Sequence, residues 1–219
     1  ELDPDSFWGK TSQARVLLQD KGDVNTALQL TVGAQHSDDY GFFSTFMLVR
    51  LYARQYGEIL AAARNLSDQL EIQRDIIELR EDLSAQILHH MGRYEEAKQA
   101  ANAALFRLRG LRTDLGEDYR LELAEARISA ILGADPDRIE ALVTKSMELS
   151  PNDDLAEFER KYFYAQIFGL AGMATQAVDM LVPVLRPPSG TSVFIIDLDP
   201  AFDSIRDAPV FISMMKQHR

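Results

Sequence analysis

ILHHMGRYEEAKQAANAAL, residues 87–105, is the stretch that decides the fold. An apolar helix ends at Met91, Gly92 allows a tight turn, and Tyr94 and Ala97 open a second, alanine-rich helix. Residues three and four apart share a helix face. Small side chains at Ala97, Ala100, Ala101 and Ala104 therefore let the second helix lie close against its neighbour. The unit is a helix–turn–helix pair.

Working outward, the apolar spacing predicts the same unit along most of the chain. Helices are expected at 5–20, 24–35, 42–55, 56–66, 72–91, 93–108, 119–132, 139–149, 155–170 and 174–185, with a loop at 110–116. Glycines recur at the turns as Gly22, Gly92 and Gly172. Asp135 and Pro136 form a start signal, a capping residue followed by proline in the first turn. Asp153 and Asp154 are expected to cap the next helix. The residue placed just after each turn is Ala27, Ile59, Ala97, Ile139 or Ala177, and subtraction gives separations of 32, 38, 42 and 38 residues. These lie near the roughly 34-residue period of one known helical repeat. After Arg186 the pattern breaks at Pro187, Pro188, Ser189 and Gly190. The β-branched run at 192–198 reads as extended. A final helix at 208–217, capped by Asp207, is expected to cover the last repeat, as repeat arrays require.

Composition narrows the function classes. The 219 residues suffice for a sizeable core. The chain has no cysteine, which excludes disulfides, thiolate metal sites and a cysteine nucleophile. Its net charge of −11 opposes binding to phosphate backbones. The local basic group Arg107, Arg109 and Arg112 lies near a helix end, where cations complement the dipole. No apolar run approaches the roughly 20 residues that span a bilayer. This segment is therefore expected to bind no nucleic acid and to insert in no membrane.

Two parts of the chain carry a family resemblance. GRYEEA at 92–97, GDVNTA at 22–27 and GMATQA at 172–177 resemble divergent tetratricopeptide repeats. The tail, with Asp199, Pro200, Phe202, Asp203, Arg206, Pro209 and Phe211, is similar to the closing segment of tetratricopeptide regions in large bacterial signalling proteins. In those, the repeats follow an adenylyl-cyclase-like, kinase or winged-helix domain. Ile205 and Ala208 depart from the pattern, where leucine and aspartate are more usual. The resemblance implies an all-α right-handed superhelix of about five repeats over 1–186, and an extended segment with a capping helix over 187–219. It also implies that the chain is the C-terminal part of a larger protein. ELDP at the start agrees, reading as the tail of a preceding repeat; it reads equally as a helix start capped by Asp3 with Pro4 in the first turn. The expected compartment is cytoplasmic, or periplasmic if a membrane span lies upstream.

No catalytic set can be assembled from these residues, and neither a cofactor nor a metal is expected. His89 and His90 are adjacent, so they point about 100° apart on a helix and do not converge on one ion. Gln86 and Arg93 occupy the positions where a further ligand would stand. Asp197, Asp199 and Asp203 lack the extra oxygens and glycine of a calcium loop and read as turn caps. Mapping the resemblance puts Tyr52, Asp82, Gln86, His89, His90, Tyr162 and Gln166 on the concave groove. Family members that hold a C-terminal carboxylate use lysine, asparagine and arginine there, a pattern that Asp82 and Gln86 do not fit. Tyr52 and Tyr162 can equally be inter-repeat packing. The function expected is a non-catalytic protein-interaction or self-association module, with a protein, a peptide or a second copy as partner. The alternative is a sensor whose groove binds a peptide or small molecule.

Overall fold

The computed structural model describes residues 6–32, 40–64, 71–72, 76–186 and 191–219. The described chain is predominantly α-helical. Ten helices follow one another as neighbouring pairs: α1 (Phe7–Lys21) with α2 (Val24–Leu30), α3 (Tyr40–Tyr52) with α4 (Tyr56–Ala63), and α5 (Arg80–His90) with α6 (Tyr94–Leu115). Then come α7 (Tyr119–Leu132) with α8 (Pro136–Leu149), and α9 (Asp154–Leu170) with α10 (Ala174–Val184). No described helix is long and apolar enough to cross a membrane.

Each pair turns through one residue in the left-handed region. Gly22 (φ 63°), Gly92 (74°), Gly133 (72°) and Gly172 (74°) adopt it without steric penalty. The fifth turn uses Arg54, at φ 58°. Five or six residues later a buried side chain fixes the second helix against the first: Ala27, Ile59, Ala97, Ile139 and Ala177, none more than 2% exposed. Caps fall where polar residues offer them. Ser6 accepts from Gly9 N at 3.0 Å, Asp23 from Thr26 N, Asp118 from Arg120 N, and Asp135 from Asp137 N. Asp153 accepts from Ala156 N.

Several expected boundaries shift. The stretch expected as one helix over 72–91 contains a small antiparallel pair, β1 (Glu71–Ile72) and β2 (Ile77–Glu78), in the register Glu71↔Glu78 and Ile72↔Ile77. The three- and four-residue spacings of Ile76, Leu79, Leu83 and Ile87 mimic a helix. Yet Ile77 and Leu79 are both buried, the alternation of a strand, and Leu79 is extended (φ −98°, ψ 141°). The loop expected at 110–116 is helical through Leu115. Gly110 is exposed with open space around it, so it costs the helix about 1 kcal/mol without stopping it. The segment expected to be extended at 192–198 is a short helix, α11 (Val193–Leu198), because burial of Ile195 and Ile196 overrides their β propensity. A 3₁₀ turn, Pro200–Ile205, and α12 (Pro209–Gln217) complete the chain. The cap of α12 is Ala208, without a side-chain hydrogen bond, rather than Asp207. Helix α2, expected to run to residue 35, ends at Leu30 with Thr31 as its C-cap. Residues 33–35, the ELDP start, His36, Ser67, Asp68 and the break at 187–190 lie outside the described residues.

The C-terminal segment does more than cover one end. Helix α12 packs on α10, the 3₁₀ turn on α9, and α11 returns to α1. Ser192 donates to the Gln19 carbonyl, and Phe194 meets the turn at Gly22. One apolar cluster joins Ala14 and Leu18 of α1, Val49 and Tyr52 of α3, and Ile195 of α11. The segment thus straps the first pair to the last.

Candidate functional site

Where the strap crosses the array, a cavity of about 190 Å3 remains between α3, α4, α5, α9 and the 3₁₀ turn. Met47, Leu48, Leu51, Ile59, Leu83 and Phe163 supply apolar wall. Gln86, His90, Gln166 and Asp199 supply polar groups, with Glu78 and Arg127 from β2 and α7.

Asp199 is 1% exposed. The Tyr162 hydroxyl and the Gln166 amide each donate to its Oδ2 at 2.7 Å, and Ala201 N donates to its Oδ1 at 2.9 Å. Residues 162 and 166 are one turn apart on α9, which is why both reach the same oxygen. The Tyr52 phenol joins the network through a hydrogen bond with Tyr162. Burial pushes the Asp199 carboxyl above the ordinary aspartate value, although its three donors and the charge of Arg54 oppose the shift. Burial, reinforced by the Asp199 charge, raises both phenols.

The other buried charges are differently placed. Asp82, fully buried, is paired with Arg127, which also donates to the Ile77 carbonyl at 3.3 Å, and Gln86 donates to Asp82 at 3.3 Å. Glu122 takes Arg112 at 2.6 Å and Lys145 at 2.9 Å. Arg50 holds Glu58 and the Thr31 hydroxyl, and lies 4.3 Å over the Phe46 ring. Asp199 alone among the buried carboxylates of the described residues has only neutral donors on its oxygens. Its nearest cations are committed elsewhere. Arg54 binds Asp203 at 2.9 Å and the Tyr56 hydroxyl at 3.0 Å. Arg206 binds Asp203 and the Asp199 main-chain carbonyl.

The histidines lie at the rim. His90 stacks on Tyr56 at 5.9 Å, and His89 meets Tyr94 edge-on at 5.4 Å. Burial, with His89 beside it, lowers the His90 pKa to about 4, and burial lowers that of His89. His89 Nδ1 is enclosed without a hydrogen-bond partner, which a neutral ring tolerates better than an imidazolium. Among the described residues no group of three or more His, Asp or Glu stands close enough to hold a metal.

The seven residues expected on the groove therefore divide. Gln86, His90 and Gln166 line the cavity; Tyr52 and Tyr162 lie in the network behind Asp199; Asp82 is sealed in an ion pair; His89 lines a separate surface depression together with Pro200 and Asp203. Asp199 caps the 3₁₀ turn, as expected of a turn aspartate, and also forms the polar end of the cavity. The second role was not assigned from sequence, although the Tyr162 and Gln166 spacing carries a signal for it. Asp203 and Asp197 lie in surface ion pairs with Arg206. Compared with known proteins, the chain matches no family profile, no curated protein and no solved structure.

Proposed function

We propose that the chain is a non-catalytic interaction module of the tetratricopeptide kind, its five helix pairs wound into a right-handed superhelix within a larger bacterial signalling protein. The repeated turn supports the repeat assignment: one left-handed residue, then a buried side chain five or six positions on, in all five pairs. The observation that carries the interaction role is the exposed tryptophan of α1. Trp8 is 52% exposed, about a quarter-turn round the helix from the side that buries Ala14 and Leu18. Tryptophan is enriched at contact surfaces, where its large apolar ring finds a partner. A second copy is the first partner to test. Light scattering over a concentration series should show the mass rising, and Trp8→Glu should return it to the monomer. A constant monomer mass for the unaltered chain would count against self-association.

A second reading, a ligand-responsive module, is favoured by the cavity. Its lining comes from both the array and the strap, so an occupant would bear on how firmly the two are joined.

A further inference from the structure

The ligand-responsive reading can be taken further, because the cavity has a size, a shape of lining and a sign of charge. An apolar cavity of about 150 Å3 accepts benzene. This one, at about 190 Å3, has room for one ring and a short polar arm. Its walls are aliphatic and aromatic over Leu48, Leu51, Ile59, Leu83 and Phe163.

The electrostatics select among small molecules. Asp199 contributes to the lining a carboxylate whose direct donors are all neutral, and Asp82, behind Gln86, is paired with Arg127. Arg127 is the single cation among the lining residues, and it is engaged by Asp82 and the Ile77 carbonyl. His90 is uncharged near neutral pH, since burial disfavours its protonated form. A carboxylate or phosphate would be repelled by Asp199, whereas a cation would be attracted to it. A carboxylate offers about four acceptor sites. Asp199 uses three of them, all for neutral donors, with Oδ1 engaged only by Ala201 N. A charged donor at Oδ1 would complete the group and place a cation in direct contact with it.

We propose that this cavity binds a small primary amine with an apolar body of about one ring, its ammonium group on Asp199 and its body against Leu48, Leu51 and Phe163. The proposal rests on the ligand-responsive reading and is separate from the interaction role of α1. Because Asp199 belongs to the strap and the walls to the array, the amine would tie one to the other.

The test is calorimetric titration at pH 7 with three probes of one size: benzylamine, benzyl alcohol and benzoate. The amine should bind about tenfold tighter than the alcohol or better, as a charge-assisted contact exceeds a neutral one, and benzoate should not bind. Asp199→Asn should keep the helical circular-dichroism spectrum and bind amine and alcohol alike. Leu48→Trp, which fills the cavity, should abolish both. In the unaltered chain, amine should shift the NMR signals of the Ala201 amide and the Gln166 side chain. Equal binding of amine and alcohol, or an amine response unchanged in both variants, overturns the ammonium assignment and leaves the ligand-responsive reading standing. Absence of binding by all three probes overturns both.

Discussion

Arg54 donates from Nη2 to Asp203 Oδ1 at 2.9 Å, joining the turn of the second helix pair to a residue 149 positions away in the strap. The same arginine holds φ 58°, where the four other turns have glycine. The left-handed conformation costs a residue with a Cβ about 1–2 kcal/mol. The ion pair is about half exposed on the Asp203 side and a third on the Arg54 side, so it returns at most about 1 kcal/mol. Strain and attachment thus offset one another.

That balance predicts an order among variants. Arg54→Ala keeps the strain and loses Asp203 and Tyr56, and should be about 1 kcal/mol less stable than the unaltered chain. Arg54→Gly loses the same contacts but relieves the backbone, and should fall within about 1 kcal/mol of it, above the alanine variant. Urea denaturation of the three proteins gives the order directly.

Gly169 offers a second handle on the strap. A Cβ there would stand 2.5 Å from the Ala201 carbonyl oxygen and 2.8 Å from Phe202 Cδ1. Glycine to alanine inside an ordinary helix stabilises by up to about 1 kcal/mol. Gly169→Ala should instead destabilise by roughly 1–3 kcal/mol, because the neighbour that must move includes backbone. Limited proteolysis should then cut within 191–208 sooner than in the unaltered chain.

Much of the array is legible in the sequence. Gly22, Gly92 and Gly172 mark turns because left-handed φ demands glycine, and the alanines that follow mark close packing. The turn at Arg54 carries no such mark. The strand at Ile77 hides behind a three- and four-residue apolar spacing that suits a helix equally well. The cavity is the least legible feature: Tyr162, Gln166 and Asp199 are read as separate groove and turn residues until folding brings α9 and the strap together. Fold reads well where the determinants are local, and poorly where a residue's partner lies far along the chain.

Asp199 should reveal its burial through replacement and pH. Asp199→Ala leaves the Tyr162 hydroxyl, the Gln166 amide and Ala201 N without their acceptor, and should cost on the order of 3 kcal/mol. Asp199→Asn retains an acceptor and should fold. The folded carboxyl lies above its unfolded value of 3.8, so the folded state binds the proton more tightly. Its contribution to stability is present below pH 3.8 and is lost as pH rises through the folded pKa. Asp199→Asn should remove that component from a pH series of denaturation curves.

His90 acts with the opposite sign. Its pKa falls from 6.5 to about 4 on folding, so its stabilising contribution is present above pH 6.5 and is lost as pH falls toward 4. The loss should be on the order of 2 kcal/mol, allowing for partial solvent access. His89, also lowered, adds in the same direction. His90→Gln should flatten the stability profile between pH 6.5 and 4, and an unchanged slope would contradict the burial of this ring.

The C-terminal segment is seated across the array and supplies the polar end of the cavity, and hydrogen exchange on the unaltered chain tests this most directly. Amides of Ile196, Asp199 and Phe202 bond to carbonyls within the strap, and Ala201 N bonds to the Asp199 side chain. These should exchange as slowly as those of α9, because opening them requires leaving the Tyr162 and Gln166 seat. Exchange of peptides over 193–205 at the rate of an unstructured chain, while α9 stays protected, would contradict it.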